Sequence, residues 1–182
     1  TNILSDPLDL DFDFKKAELI IQKYLEEAKN KKNTFIYSHE RLSGNPHSGF
    51  FNAKNIADRI KMLTPNAKII IVIREQYSLI SSIYKQYVSI GGTKNFTQYL
   101  FGANDGRLPL FNPLFLKYES LINYYKKKFN DEHVKIILFE ELIKDPKTIF
   151  NEILNFVGSH EIDNIPQNIL LPKNVSMDEN QI

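Results

Sequence analysis

Apolar and polar positions alternate along this chain in blocks whose period switches between that of a strand and that of a helix. The most informative block is Ala67 to Tyr84, AKIIIVIREQYSLISSIY, in which five consecutive aliphatic residues, Ile69 to Ile73, run straight into Arg74. A β-branched run of that length predicts a strand buried on both faces, as in a parallel sheet. The segment after it predicts a helix. Ile80, Ile83, Tyr84 and Tyr87 form its buried side, Ser78, Ser82 and Lys85 share another face, and Gly91-Gly92 breaks it. Leu19, Ile20, Tyr24 and Leu25 recur at helical spacing within Ala17 to Ala28, and Ile56, Ile60 and Leu63 do so within Asn52 to Leu63, with Pro65 just beyond. Thr34 to Ser38 reads as a short strand and Val134 to Phe139 as another buried one. Phe96 to Phe101 is a short helical turn, and Phe115 to Phe129 is a long tyrosine-rich helix. Asp145-Pro146 marks a helix start and Gly158 its end.

Strand and helix signals in this order predict an α/β fold, a three-layer sandwich around a mostly parallel sheet. The 182 residues suit a single domain, 1–182, with no internal repeat and no boundary. Gly91 to Pro113 reads either as a lid over a crevice or as a long connection packed on Tyr99, Phe101 and Phe111.

Composition narrows the function classes. A net charge of +1 gives no bulk field to recruit nucleic acid or an anionic membrane. The run Lys126-Lys127-Lys128 closes a predicted helix, where it complements the helix dipole. The chain has no cysteine, which removes disulfides and thiolate metal sites and suits a reducing, cytoplasmic setting. No apolar run approaches the length of a membrane span, and the first residues carry no signal-peptide pattern. His47, His133 and His160 show no ligand spacing, so no metal is expected.

Ligands of open α/β sheets bind beyond the carboxyl ends of the strands, and Arg74 stands at such an end. An arginine fork, the hydroxyl of Ser82 eight positions later and the N-terminus of the intervening helix make a receptor for a phosphate dianion. The plainer alternative is an ion pair between Arg74 and Glu75, with the serines facing solvent.

The Arg74–Ser82 spacing resembles the 3′-phosphate site of the sulfotransferases that use 3′-phosphoadenylyl sulfate (PAPS). Two further stretches are similar to the same family, in the same order. VKIILFEELIKDPKTIFNEILNFVG, Val134 to Gly158, resembles its later strand, acidic-Leu segment, Asp-Pro helix start and closing Phe-x-Gly. FIYSHERLSG, Phe35 to Gly44, resembles the strand and loop that carry its catalytic base, in the form seen in bacterial members. The likeness covers roughly Thr34 to Gly158. It implies a P-loop NTPase-like sulfotransferase fold, with PAPS as donor and 3′,5′-adenosine bisphosphate (PAP) as product. It also implies no metal, and a small-molecule or carbohydrate hydroxyl as acceptor. Arg74 and Ser82 would hold the nucleotide, with Lys85 a weaker candidate, and Lys173 in KNVS would begin the family's C-terminal phosphate loop. Glu40 is the favoured general base and His39 the other candidate; the structural alternative for Glu40 is a salt bridge with Arg41 or Arg74. Glu140 and Glu141 are expected to be structural.

One family element has no counterpart here. No Lys-x-Gly-Thr-Thr loop after an opening strand, which would wrap the 5′-phosphosulfate, occurs in the sequence. Gly44 to Gly49, GNPHSG, is followed by Phe50 and Phe51 where a phosphate loop needs Lys and Ser/Thr, and it reads as an ordinary turn. The chain therefore reads as a family domain truncated at its N-terminus. Losing one such transition-state donor costs about a hundredfold or more, so little turnover is expected. Two other readings follow: a non-catalytic remnant that keeps the phosphate site as a binding module, and, ranking lower for want of a Lys-Ser/Thr loop, a P-loop kinase.

Overall fold

Two strands, β1 (Ile69–Ile73) and β2 (Val134–Leu138), pair in parallel, with Ile69 opposite Val134 and Ile73 opposite Leu138. Parallel neighbours need a long crossover, and here its described residues include three α-helices: α3 (Gln76–Ser89), α4 (Phe96–Phe101) and α5 (Tyr118–Phe129). Before β1 come α1 (Phe14–Asn30) and α2 (Ala53–Leu63); after β2 come α6 (Phe139–Lys144) and α7 (Pro146–Val157). The structure is a computed structural model and describes Leu4 and residues 12–44, 51–102 and 111–159.

Period-two alternation splits the sheet residues between two faces. Ile69, Ile71, Ile73, Val134 and Ile136 join one core with Ala17 and Ile21 of α1, Ile56, Ala57, Ile60 and Leu63 of α2, and Tyr125 and Phe129 of α5. On the opposite face Ile137 is buried, and Lys135 Nζ donates to Glu152 Oε2 of α7 at 2.9 Å. Lys68, just ahead of β1, donates to the carbonyl of Phe156 near the end of α7. Helices therefore flank the sheet on both sides, as a three-layer α/β arrangement requires. A second cluster gathers Ile83, Tyr99 and Phe111 with Tyr84 and Tyr87, so the Gly91–Pro113 connection packs on α3 through those aromatics, while Phe101 stays exposed.

The structure departs from the sequence reading at three places. Residues 33–39 form no strand, so Thr34 to Ser38 does not extend the sheet, which has two strands among the described residues. Ile36 is exposed there, and Phe35 stacks on Tyr24 of α1 instead of meeting a ladder partner. A strand without a neighbour leaves its backbone to water and has nothing to hold its dihedrals. Secondly, β1 is not buried on both faces: Ile70 is 37% and Val72 49% exposed. Thirdly, Phe115–Phe129 divides into a 3-10 turn, Pro113–Leu116, and α5. The Asn112 side chain caps the turn, and Lys117, at ψ 71°, interrupts the helical path.

Asp58 ties α2 to α5. Its carboxylate accepts hydrogen bonds from Tyr124 Oη at 2.5 Å, Lys54 Nζ at 2.7 Å and Lys128 Nζ, also at 2.7 Å. Burial alone would raise its pKa. The donors from Lys128, Lys54 and Tyr124 outweigh that and hold the carboxyl well below the usual carboxylate range. A group whose folded-state pKa is depressed stabilises fully above its unfolded value, near ~3.9, and loses that contribution as pH falls below it. Asp58→Asn is accordingly expected to cost about 1 kcal/mol at neutral pH. It should also flatten the fall of the urea midpoint below about pH 4. Parallel midpoint–pH curves for wild type and variant would count against this role.

Candidate functional site

β1 delivers Arg74 to the carboxyl end of the sheet, and α3 begins two residues later. The guanidinium is half-buried. Its Nε–H donates to Ser78 Oγ at 3.2 Å, one turn into α3, and its carbon lies 4.9 Å from the centre of the Phe139 ring. Ser78 Oγ in turn donates to the carbonyl of Glu75 at 3.0 Å. No carboxylate lies within 4 Å of the Arg74 guanidinium among the described residues, so the expected alternative of an Arg74–Glu75 ion pair does not form. Ser82 follows Ser78 by one turn on the same helical face, half-buried, and makes no side-chain hydrogen bond to another described residue. The structure thus sets Arg74 Nε against the α3 face that carries both serines.

Glu75 has a different task. It is the N-cap of α3, and its carboxylate accepts from the backbone N–H groups of Tyr77 at 2.8 Å and Ser78 at 2.7 Å. Those two amide bonds, Ser78's first, draw its pKa down, as a capping carboxylate at the positive helix end should be. The protein's own carboxylate therefore takes the first amides of α3, which the sequence reading had assigned to a ligand anion. The Arg74 guanidinium and the Ser82 hydroxyl take no part in that cap.

Three contacts that sequence reasoning missed hold this corner rigid. The Glu75 N–H donates to Glu140 Oε1 at 3.0 Å, tying the tip of β1 to the start of α6 beyond β2. Tyr118 Oη donates to the carbonyl of Arg74 at 2.7 Å, and Gln76 Nε2 donates to the carbonyl of Leu116 at 3.0 Å. Burial pushes the Tyr118 hydroxyl up in pKa, which keeps it a donor. Phe139, the residue under the guanidinium, was legible only as the end of an apolar run. Nothing in the local sequence links residues 44 or 65 positions apart.

His39 and Glu40 lie at a 3-10 turn, Glu40–Ser43. They are not at the end of a strand, because residues 33–39 are not one. His39 is the N-cap: its Nδ1 accepts from the Arg41 N–H at 3.1 Å. In the neutral ring that leaves Nε2 as the N–H, with no free basic nitrogen. Glu40 is exposed and forms no salt bridge with Arg41 or Arg74. The turn is fastened to the core, since Tyr125 Oη donates to the Leu42 carbonyl at 3.3 Å. Lys173 and most of the GNPHSG turn lie outside the described residues. Tyr84, Tyr87 and Tyr99 pack on one another with centroids 4.6–6.2 Å apart, whereas Tyr77 is exposed. Among the described residues no three His, Asp or Glu side chains group so as to hold a metal ion, and no helix is long and apolar enough to cross a membrane.

Comparison with known proteins gives this geometry its context. The sequence profile described as "Sulfotransferase family" matches residues 25–163. No curated protein matches the chain significantly. Among solved structures, the crystal structure of a sulfotransferase from Alicyclobacillus acidocaldarius superposes with a TM-score of 0.54 at 26% identity, over 70% of this chain and 52% of that one. The present chain thus spans about half the length of that structure. The matched region runs from the end of α1 through α7 and includes both strands, Glu40, Arg74 and Ser82. The chain belongs to the sulfotransferase family.

Proposed function

We propose that the chain binds the 3′-phosphate of PAPS and of its product PAP at Arg74 and Ser82, and serves sulfuryl transfer from PAPS to an acceptor hydroxyl. The observation that carries this reading is Arg74 itself: a guanidinium at the strand tip, with no carboxylate within 4 Å among the described residues, set along the helix face that bears Ser78 and Ser82. A planar fork of N–H donors matches a phosphate dianion, and charge-assisted bonds of this kind are about twice as strong as neutral ones.

In the transfer, sulfur leaves the bridging oxygen of the donor and bonds to the acceptor oxygen. The acceptor proton passes to a base, and PAP departs with the bond's electron pair. Glu40 is the proposed base, since the His39 Nδ1 lone pair is engaged by the Arg41 N–H. Carbohydrate is one acceptor class the family resemblance suggests. A module that binds PAP without turnover is the second reading, and saturable PAP binding with no sulfuryl transfer would support it.

Calorimetric titration with PAP and, separately, ATP tests the nucleotide assignment. Saturable PAP binding with no comparable ATP binding supports it; a preference for ATP overturns it in favour of a kinase-like role. Glu40→Gln should leave PAP affinity within about twofold and lower any transfer rate by about a hundredfold or more. A Glu40→Gln enzyme that transfers as fast as wild type would remove Glu40 from the chemistry.

A further inference from the structure

A cavity of about 330 Å³ lies between the Glu40–Ser43 turn, the start of α2 and the corner where the Pro113–Leu116 turn enters α5. Neither Glu40 nor Arg74 is in its wall, but residues beside each of them are. Ser43, in its wall, belongs to the same 3-10 turn as Glu40. Phe115, also in its wall, meets the Tyr118 ring edge-to-face at 6.2 Å, and Tyr118 bonds the Arg74 carbonyl.

The lining is mixed in a particular way. Phe51, Leu114, Phe115 and Leu121 make it mainly apolar, and Phe51 and Leu114 are among the exposed large hydrophobic residues of the protein. The charged groups in its wall are both cationic, Lys54 and Lys117, and no carboxylate lines it among the described residues. Lys54 is held by Asp58. That carboxylate also takes Lys128, so the surroundings keep a positive excess. The Lys117 ammonium is exposed and has no carboxylate partner among the described residues. Apolar walls with a few convergent polar groups are the usual composition of a small-molecule site. Unpaired cationic charge beside such walls favours a ligand that carries its own anion.

We infer that this cavity is the acceptor pocket, and that it takes a flat, apolar hydroxyl compound bearing an anionic group, such as an acidic phenol, in preference to a neutral sugar. The aromatic and leucine side chains cover the body of the ligand, Lys117 meets its anion, and its hydroxyl lies toward the turn that carries Glu40. The inference deepens the function proposed above and rests on it for the word acceptor; the pocket's ligand class is tested without any turnover.

The test uses three probes by equilibrium titration: 6-hydroxy-2-naphthoate, 2-naphthol and methyl β-glucoside. The expected order has the naphthoate tightest, binding about tenfold or more tighter than 2-naphthol, and the glucoside weakest. Lys117→Glu, an exposed change, should remove the naphthoate's advantage over 2-naphthol while leaving PAP binding within about twofold. Leu121→Trp, which fills the cavity, should weaken both naphthyl probes. Equal affinity for naphthoate and naphthol in the wild type, tighter binding of the glucoside, or an advantage that survives Lys117→Glu would overturn the inference. Naphthoate binding of the expected pattern without PAP binding would sustain the pocket and sink the nucleotide assignment. PAP binding with no naphthoate binding would do the reverse.

Discussion

Arg74→Ala is expected to weaken PAP binding by about a hundredfold, to the edge of detection by calorimetry, with the fold intact. A hydrogen bond to a charged group contributes about 1.5–3 kcal/mol, and 1.4 kcal/mol is a factor of ten. Two such bonds from one fork, offset by some recovery of solvation, give that range. Arg74 sits at a strand end with a half-buried side chain, and its structural bond goes to an uncharged acceptor, Ser78 Oγ. Removing it leaves no buried charge behind, so the urea midpoint should move little. Arg74→Lys should recover only a small part of the affinity, because an ammonium cannot reproduce the planar fork or its packing over Phe139. Wild-type affinity in Arg74→Ala would end the phosphate assignment. Full affinity in Arg74→Lys would reduce it to a point charge.

Phe129→Ala carries the largest expected cost to the fold. Phe129 is 1% exposed at the end of α5, and it stacks on Tyr125 at 6.0 Å in the core that joins α1, α2 and both strands. Truncating a fully buried phenylalanine costs about 3–5 kcal/mol from lost burial and the cavity left behind. Against a usual domain stability of about 5–15 kcal/mol, that is a large share of the whole. Urea unfolding should show a much lower midpoint with the slope preserved. A fall of less than about 1 kcal/mol would mean the two layers are held together elsewhere.

How much of this was legible in the sequence depends on whether the cause was local. The β-branched run IIIVI pointed to a strand, and Arg74 followed from its end. The helix start at Asp145-Pro146 and its end at Gly158 were legible because capping is chemistry within a few residues. The Asp145 side chain accepts from the Thr148 N–H at 3.1 Å, and Gly158 takes the left-handed conformation at φ 82°. The shared face of Ser78 and Ser82 was legible from helical periodicity alone. The failures, with one exception, are tertiary. Thr34 to Ser38 has strand composition, yet a strand exists only through a neighbour, and Phe35 found a ring on α1 instead. Glu75 is the one local failure: the expected alternative was an ion pair with Arg74, but its carboxylate caps α3 through the Tyr77 and Ser78 amides two and three residues on. Tyr118 and Glu140 reach the Arg74 corner across 44 and 65 residues, beyond any spacing rule.

The Glu140 bond to the Glu75 amide also has a mechanical meaning. It fastens the peptide immediately after the guanidinium to the first turn of a helix that leaves the neighbouring strand. A nucleotide bound at Arg74 as proposed would therefore pull on α6 as well. α6 joins α7 directly at Asp145, and the far end of α7 is pinned to Lys68 at the root of the same strand. The corner, the two C-terminal helices and the root of β1 close into a loop of contacts, so occupancy at the strand tip should be felt as stiffness at its opposite end.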